Sequence, residues 1–254
     1  MDDKLSAFSK LLEVMNTLRA ECPWDKKQTF ESLRPHTIEE AYELSGAVMN
    51  ASPDRIKEEL GDLLLHIVFY ARIGEEKGDF DIKDVCDSLV EKLITRHPHV
   101  YGQIVVKDDH EVKDNWEKIK LENGSKTTLG GVPESLPSMI KAIRIQEKAK
   151  GVGFDWDHRE QVWEKIQEEM SEFHAEISAN NIEKEKIEDE FGDVLFSLIN
   201  YARFFDINPD TALEKTNLKF IKRFNKMEAQ IRSEGKVFRE MTLDEMEDYW
   251  QRTK

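Results

Sequence analysis

Glu168-Glu-Met-Ser-Glu172, followed by Glu190-Phe-Gly-Asp193, places acidic side chains at helical spacing in two nearby segments. Residues three apart share a face of a helix, so each segment offers a pair of neighbouring carboxylates. If the two helices pack together, four carboxylates meet in a small space, where they repel one another and partly protonate unless a cation is present. Oxygen ligands of this charge suit Mg²⁺, with Mn²⁺ as a possible substitute. A hard cation held in this way usually accompanies phosphate chemistry.

The same pair of motifs occurs earlier, as Glu39-Glu-Ala-Tyr-Glu43 and Glu59-Leu-Gly-Asp62. From Glu59 to Arg72 the sequence agrees with Glu190 to Arg203 at seven of fourteen positions. Self-similarity on this scale indicates a duplicated domain. The segment between the copies is rich in Gly, Ser, Thr and Pro, which is typical of a linker. We therefore predict an N-terminal repeat over 1–124, a linker over 125–137 and a C-terminal repeat over 138–254.

Outside the motifs, the apolar residues also follow helical spacing. One stripe precedes the first repeat's motifs, and others mark the helices that carry the second pair: Leu5, Phe8, Leu11, Leu12, Met15, Leu18; Val162, Ile166, Met170, Phe173; Val194, Leu195, Leu198, Ile199. The only strand-like stretch is the short one from Tyr101 to Val106. Strands that alternate with helices are absent. The predicted fold is all-α, with tandem helical bundles built from antiparallel hairpins.

The composition narrows the class of protein. The 254 residues carry a formal charge of −15, which disfavours nucleic acid as the main partner because such a site needs a basic stripe. Cys22 and Cys86 fit no metal or redox spacing, which favours reduced thiols in a cytoplasmic protein. The chain starts with charged residues, and its longest apolar run, Leu63 to Ala71, is too short to span a bilayer. We expect a soluble protein with neither a nucleic-acid nor a membrane partner.

An isolated acidic motif is weak support for a metal site, because 35% of the chain is charged and solvated acidic helix faces are common. The repetition strengthens the interpretation, as does the glycine inside each second motif. Gly61 and Gly192 each cost roughly 1 kcal/mol in a helix interior. We expect these glycines either to allow close helix approach or to leave room for a ligand.

Basic residues also occur at helical spacing from one another and from the acidic motifs. Lys219 and Arg223 lie one helical turn apart, and Lys186 lies one turn before Glu190. Singly, each is typical of a solvated surface charge, but as a repeated set they fit phosphate recognition. Among the aromatic residues, Trp250 fits either a core or interface position or a surface that stacks on a nucleobase, whereas we expect Trp24 and Trp156 to anchor the core.

The combined motifs resemble those of the MazG family, nucleoside triphosphate pyrophosphohydrolases of the all-α NTP pyrophosphatase superfamily. The resemblance spans essentially the whole chain and rests on the tandem acidic motifs together with Cys22-Pro-Trp-Asp25, Thr95-Arg-His-Pro-His-Val100 and Val152-Gly-Phe-Asp-Trp156. It implies Mg²⁺-dependent hydrolysis of an NTP or dNTP to the monophosphate and pyrophosphate, and it implies a homodimer.

The resemblance also implies roles for individual residues of the C-terminal repeat. The metal ligands would be Glu169, Glu172, Glu190 and Asp193. Glu168, Glu169 and Glu172 would act as catalytic carboxylates. Phosphates and nucleoside would be held by Lys186, Asn217, Lys219, Arg223 and Trp250.

The N-terminal repeat offers a possible second metal site, formed by Glu40, Glu43, Glu59 and Asp62. It differs from the C-terminal repeat at one informative position, because Val90 stands where the C-terminal repeat has Asn217. This difference, with the family resemblance, favours the C-terminal repeat as the catalytic domain. The N-terminal repeat would then be structural or weakly active.

The mechanistic hypothesis is that metal-activated water attacks the α-phosphorus and that pyrophosphate leaves. The alternative is a non-catalytic helical protein that binds metal or nucleotide, or a scaffold whose carboxylates are merely solvated. The register of the basic residues with the acids favours the enzyme, because a scaffold has no need of it.

Overall fold

The computed structural model of the chain describes residues 2–102, 106, 111–112, 115 and 127–253. Over these residues the regular structure is entirely helical, which confirms the all-α prediction. The chain forms two compact units, Met1–Lys107 and Asp108–Lys254. The predicted boundary between 124 and 125 lies outside the described residues, so the predicted repeat and linker ranges stay predictions.

Unit 1 is organised around a helical hairpin. Its described helices are α1 (Asp3–Glu21), α2 (Phe30–Met49), α3 (Pro53–Lys77), α4 (Ile82–Arg96) and α5 (Pro98–Tyr101), with a 3₁₀ turn at Asp25–Lys27. The side chain of Thr29 accepts a hydrogen bond from the backbone N–H of Ser32 and so caps α2, while α3 ends at Gly78, whose φ of 74° needs a residue without a Cβ. The hairpin of α2 and α3 is the main packing contact, and α1 packs against α3.

The core of unit 1 comes from three helices: Met15, Leu33, Val68, Phe69 and Ile73 are buried together. Phe8, Leu11 and Leu12 of α1 pack against them, so most of the predicted stripe faces the core, whereas Leu5 and Leu18 are exposed. Burial of each large apolar side chain contributes about 1.5–3 kcal/mol. The alternation of buried and exposed apolar residues on α3 fits a helix that packs against its neighbours along one face and leaves the other face exposed.

Arg19 fastens the end of α1 to α3. Its guanidinium donates to both carboxylate oxygens of Glu76, at 2.9–3.1 Å, and to the backbone carbonyl oxygens of Asp25 and Gln28. The hydrogen bond from Arg19 holds the pKa of the Glu76 carboxyl below its ordinary value of 4.5. The hydrogen bonds from Arg19 to the carbonyls of Asp25 and Gln28 therefore hold the turn that carries the Cys22-Pro-Trp-Asp25 motif.

Unit 2 repeats the hairpin plan. Its described helices are α6 (Ser138–Gly151), α7 (Arg159–Ile177), α8 (Lys184–Arg203), α9 (Pro209–Ser233) and α10 (Leu243–Gln251), with a 3₁₀ turn at Phe238–Glu240. Helices α7 and α8 form the hairpin, α6 packs against α8, and α9 packs against α10 and α6. Met227, Ile231 and Tyr249 form one buried cluster between α9 and α10.

Arg203 plays the corresponding anchoring role in unit 2. Its guanidinium donates to the carboxylate of Asp155 (Nη1 to Oδ2, 2.8 Å) and to the side-chain oxygen of Asn200. Burial by itself would raise the pKa of Asp155, but the hydrogen bond and charge of Arg203 outweigh it and hold that pKa below its ordinary value. The segment before α7 is thus tied to the end of α8.

Two expectations from the sequence differ from the structure. Tyr101 is the last residue of α5 rather than the start of a strand, and 103–105 lie outside the described residues. Trp24 and Trp156 are exposed, by 56% and 40%, so their prediction as core anchors was wrong. Both lie between helices rather than on an apolar helix face. Among the described helices, none has the length and apolar character needed to cross a membrane.

Replacing Arg19 by Met should destabilise unit 1 by about 2 kcal/mol at pH 7, because Glu76 loses its partner and two carbonyl groups lose a donor. A depressed pKa contributes stability above the ordinary carboxyl pKa, and that stability is lost as the pH falls through the folded-state value. The difference between wild type and variant should therefore shrink on acidification below pH 4.5. Urea unfolding at several pH values measures it, and a pH-independent difference would contradict the ion-pair account.

Candidate metal centre

Each hairpin gathers three carboxylates at one place. In unit 2, Glu169 of α7 meets Glu190 and Asp193 of α8, and one oxygen from each lies within 4.8 Å of the others; we call this the second cluster. In unit 1, the same criterion unites Glu40 and Glu43 of α2 with Glu59 of α3, which we call the first cluster. The helix pairing predicted from the repeated motifs therefore brings most of the predicted metal ligands together.

One predicted ligand lies outside each cluster. Glu172 is exposed and does not join the second cluster, and Asp62 does not join the first. Both remain close enough to act electrostatically: the charge of Glu172 contributes to a raised pKa of Glu190, and that of Asp62 to a raised pKa of Glu40. The two clusters thus differ in which helix supplies two of the three oxygens.

Burial and the crowding of like charges both affect the carboxylates of the two clusters. Burial raises the pKa of Glu190, and the charges of Glu172, Asp193 and Glu169 raise it further. Burial likewise raises the pKa of Glu40, followed by the charges of Asp62, Glu43 and Glu59. A divalent cation would relieve this repulsion. The donor set consists of carboxylate oxygens alone, which fits Mg²⁺ or Mn²⁺ better than metals that prefer sulfur or imidazole.

In each cluster the most buried glutamate is paired with one cation. The ammonium of Lys165 lies 2.8 Å from Oε1 of Glu169 and 2.9 Å from Oε1 of Glu168, and these hydrogen bonds raise the pKa of Lys165. In the first cluster the guanidinium of Arg55 lies 3.0 Å from Oε1 of Glu59. Lys165 was not among the residues predicted from the sequence, although its position four residues before Glu169 could have indicated it.

Beside the first cluster lies a small polar network that the second hairpin lacks. The hydroxyl of Thr37 is 3.0 Å from Nδ1 of His66 and 2.6 Å from the hydroxyl of Tyr70. Burial lowers the pKa of His66, and the nearby His36 lowers it further. At the equivalent positions of unit 2, Ile166 is buried in place of Thr37, and Ser197 replaces His66. The two hairpins therefore support their clusters with different side chains.

The glycines of the motifs border open space. A Cβ added to Gly61 or Gly192 would meet no atom within 4 Å. The expectation that these glycines allow close helix approach is therefore wrong. The open space beside them is compatible with the other expectation, that they leave room for a ligand.

The predicted substrate-binding residues are distributed around unit 2. Lys186 is exposed and its ammonium lies 3.0 Å from the Glu183 carboxylate. The side-chain amide of Asn217 donates to Glu214 at 3.1 Å, and Lys219 is exposed. Over the described part of the chain, no hydrogen bond or ion pair joins the α9 residues to the second cluster.

Arg223 and Trp250 do contact each other. The guanidinium of Arg223 lies over the indole ring of Trp250, 4.4 Å from its centre. Its Nε and Nη2 atoms are buried, and within the described residues they have no hydrogen-bond partner. A buried donor without an acceptor is unfavourable, so this guanidinium is able to accept an anionic ligand.

Comparison with known proteins places these hairpins in a family. The MazG nucleotide pyrophosphohydrolase domain matches residues 28–101 and 158–227, which include both clusters. The chain is 44% identical over 252 residues to the nucleoside triphosphate pyrophosphohydrolase/pyrophosphatase MazG of Thermotoga maritima, covering 97% of this chain and 95% of that protein. It is 37% identical to the nucleoside triphosphate pyrophosphohydrolase of Escherichia coli, with 98% of each chain covered. It is also 44% identical to the uncharacterized protein YabN of Bacillus subtilis, covering 97% of this chain and 51% of that protein.

Glu190→Gln should raise the melting temperature of the metal-free protein at neutral pH. Because the pKa of Glu190 is raised in the folded protein, its carboxyl lowers the free energy of unfolding once the pH rises through that value. A neutral glutamine removes both the burial of this charge and its repulsion with neighbouring acids. The same variant should lose most of the stabilisation that Mg²⁺ gives. Calorimetry with EDTA and with Mg²⁺ measures both effects. Glu188→Gln, an exposed position of the same helix, serves as the control and should change neither; equal behaviour of the two variants would refute the clustering effect.

Gly192→Ala and Gly61→Ala form a matched pair. Each should stabilise its helix by about 1 kcal/mol, because the added methyl group meets no neighbour. If Gly192 leaves room for substrate, only its replacement should raise KM for nucleotide. Chemical denaturation and steady-state kinetics test the pair, and a destabilising effect of either alanine would contradict the open geometry.

Proposed function

This chain belongs to the MazG nucleotide pyrophosphohydrolase family, and we propose that it hydrolyses nucleoside triphosphates, ribo- or deoxyribonucleotides, to the monophosphate and pyrophosphate. The observation that carries the proposal is the second cluster, in which three hard oxygen donors meet inside a matched family domain. The names of the relatives from Thermotoga maritima and Escherichia coli, which match over nearly the whole chain, support the activity.

The second cluster is the proposed catalytic centre. Glu169, Glu190 and Asp193 would hold Mg²⁺, or Mn²⁺ in its place, and Glu172 would complete the set, supported by its electrostatic influence on Glu190. Bound there, Mg²⁺ would neutralise phosphate charge and make water more acidic. Burial raises the pKa of Glu190, and the charges of Glu172, Asp193 and Glu169 raise it further; this supports the assignment, because a cation bound there would offset both effects.

The remaining roles belong to the side chains of the protein itself. Glu168 lies beside Glu169 with its side chain 56% exposed; Lys165 contacts its Oε1, so its other carboxylate oxygen would take a proton from the attacking water. The water would attack the α-phosphorus directly, since the one hydroxyl in the acidic motifs of the C-terminal repeat, that of Ser171, donates to the backbone carbonyl of Gln167.

The α9 side would bind the charged part of the substrate. Arg223 has two buried N–H donors that phosphate oxygens would satisfy, and Lys219 lies one helical turn from it. Asn217 and Lys186 would add a donor and a charge once they leave Glu214 and Glu183. Trp250 orients Arg223 through its ring face and would contact the nucleoside.

The functional unit would be a homodimer located in the cytoplasm. Several hairpin and α9 residues expose large apolar side chains that a second copy would cover: Leu60, Ile67, Phe191, Leu195, Leu198, Phe220 and Ile221. The two free cysteines and the proposed nucleotide substrates are consistent with the reducing cytoplasm. The N-terminal repeat would serve chiefly as a structural partner, with its first cluster weakly active or able only to bind metal.

The decisive experiment compares Asp193→Ala with its counterpart Asp62→Ala. Pyrophosphate release from a panel of NTPs and dNTPs with Mg²⁺ should fall about a hundred-fold or more in Asp193→Ala, because a metal ligand is lost. The same activity should be largely retained in Asp62→Ala. Both variants should keep wild-type helicity by circular dichroism, since neither aspartate is part of a core cluster. Full activity of Asp193→Ala would overturn the assignment of the second cluster as the catalytic centre. If the wild type released no pyrophosphate, the alternative of a non-catalytic protein that binds nucleotide or metal would be favoured.

A further inference from the structure

The most buried carboxylate of each cluster is held by a cation from one helical turn before it. The side chain of Glu169 is 8% exposed and lies 2.8 Å from the Lys165 ammonium, while that of Glu59 is 4% exposed and lies 3.0 Å from the Arg55 guanidinium. A buried carboxylate without a partner is strongly unfavourable. In the absence of metal, these two cations therefore perform the neutralisation that a metal ion would otherwise provide.

The repeats use opposite positions for this cation. Lys165 lies on α7, the helix with the EExxE motif, whereas Arg55 lies on α3, the helix with the ExxD motif. The residue equivalent to Arg55 in unit 2 is Lys186, which contacts Glu183. The residue equivalent to Lys165 in unit 1 is His36, which lies 3.7 Å from Glu39. The two repeats thus neutralise their most buried glutamate with cations from different helices of the hairpin.

Lys165 differs from Arg55 in having a second carboxylate within reach. Its ammonium lies 2.9 Å from Glu168, which is 56% exposed, as well as 2.8 Å from the buried Glu169. Arg55 contacts Glu59 alone among the described ion pairs. Lysine has a flexible stem and rotatable donors, so Lys165 can leave Glu169 and still keep one ion pair. Moving the Lys165 ammonium away from Glu169 therefore costs little free energy.

We propose that Lys165 is a displaceable counter-cation: it neutralises Glu169 in the metal-free protein and withdraws to Glu168 when the divalent cation enters the second cluster. The oxygen that Lys165 contacts belongs to a predicted metal ligand, so the ammonium and the divalent ion repel each other across it. Lys165 is thus a positioning residue that lowers the affinity for metal and stabilises the site without it. The proposal rests on the proposed function only in taking the second cluster as a divalent-metal site.

The test uses Mg²⁺ alone, without nucleotide, and full-length protein in which Glu43→Gln weakens the first cluster. In this background, Lys165→Met should bind Mg²⁺ about ten-fold more tightly by isothermal titration calorimetry, because a repelling charge is removed. The same variant should melt at a lower temperature in EDTA, because Glu169 loses its partner. Lys165→Arg keeps the charge and should restore both values. Lys226→Met, which removes an exposed lysine of α9, is the control and should change neither.

The outcomes separate this proposal from the proposed function. Unchanged or weaker Mg²⁺ binding by Lys165→Met, with pyrophosphate release intact in the parent protein, would refute the displaceable cation alone. Absence of both Mg²⁺ binding and pyrophosphate release in the parent would refute the proposed function itself. If Lys165→Met proves too unstable to study, a Lys165→Arg variant that binds Mg²⁺ ten-fold more tightly than the parent would equally overturn the proposal.

Discussion

Repulsion among carboxylates that two packed helices force together is the constraint on which both hairpins depend. Each hairpin buries one glutamate deeply, Glu59 or Glu169, and places two further acids beside it. Such an arrangement opposes folding unless positive charge is supplied. The apolar contacts along the hairpins must therefore hold the acids together, while a neighbouring lysine or arginine reduces the repulsion in the absence of metal. Burial, followed by the charges of the neighbouring acids, raises the pKa values of Glu40 and Glu190, although a cation pairs with one glutamate of each cluster.

The two repeats show how one scaffold tolerates different solutions. The first cluster takes two oxygens from α2 and one from α3, whereas the second takes one from α7 and two from α8. The first is neutralised by arginine from the ExxD helix, and the second by lysine from the EExxE helix. The polar contact of Thr37 with His66 adjoins the first hairpin, and buried Ile166 takes that place in the second. Duplication has thus preserved the backbone plan while the charges around it have diverged.

Motif spacing was enough to predict which helices bring carboxylates together. The three-residue spacing of the acids, combined with helix pairing, predicted clusters that contain Glu169, Glu190 and Asp193. It could not show that Glu172 lies outside the set of closely spaced oxygens, because side-chain direction within a turn depends on how the hairpin packs. Nor could it predict that Lys186 contacts Glu183 rather than a member of the cluster. Spacing lists the possible partners of a lysine, and the packed geometry selects among them.

The sequence by itself determined the helical class, the duplication and the family, because these properties reside in local periodicity and in motifs that survive divergence. Only the tertiary structure decided that Lys165 is the cation of the second cluster, that Gly192 borders open space, and that Trp24 and Trp156 are exposed. The physical reason is the separation along the chain of the residues that interact. Helix formation and amphipathic patterning depend on neighbours within a few turns, whereas burial and charge pairing depend on residues brought together from separate helices, whose distances no linear spacing fixes.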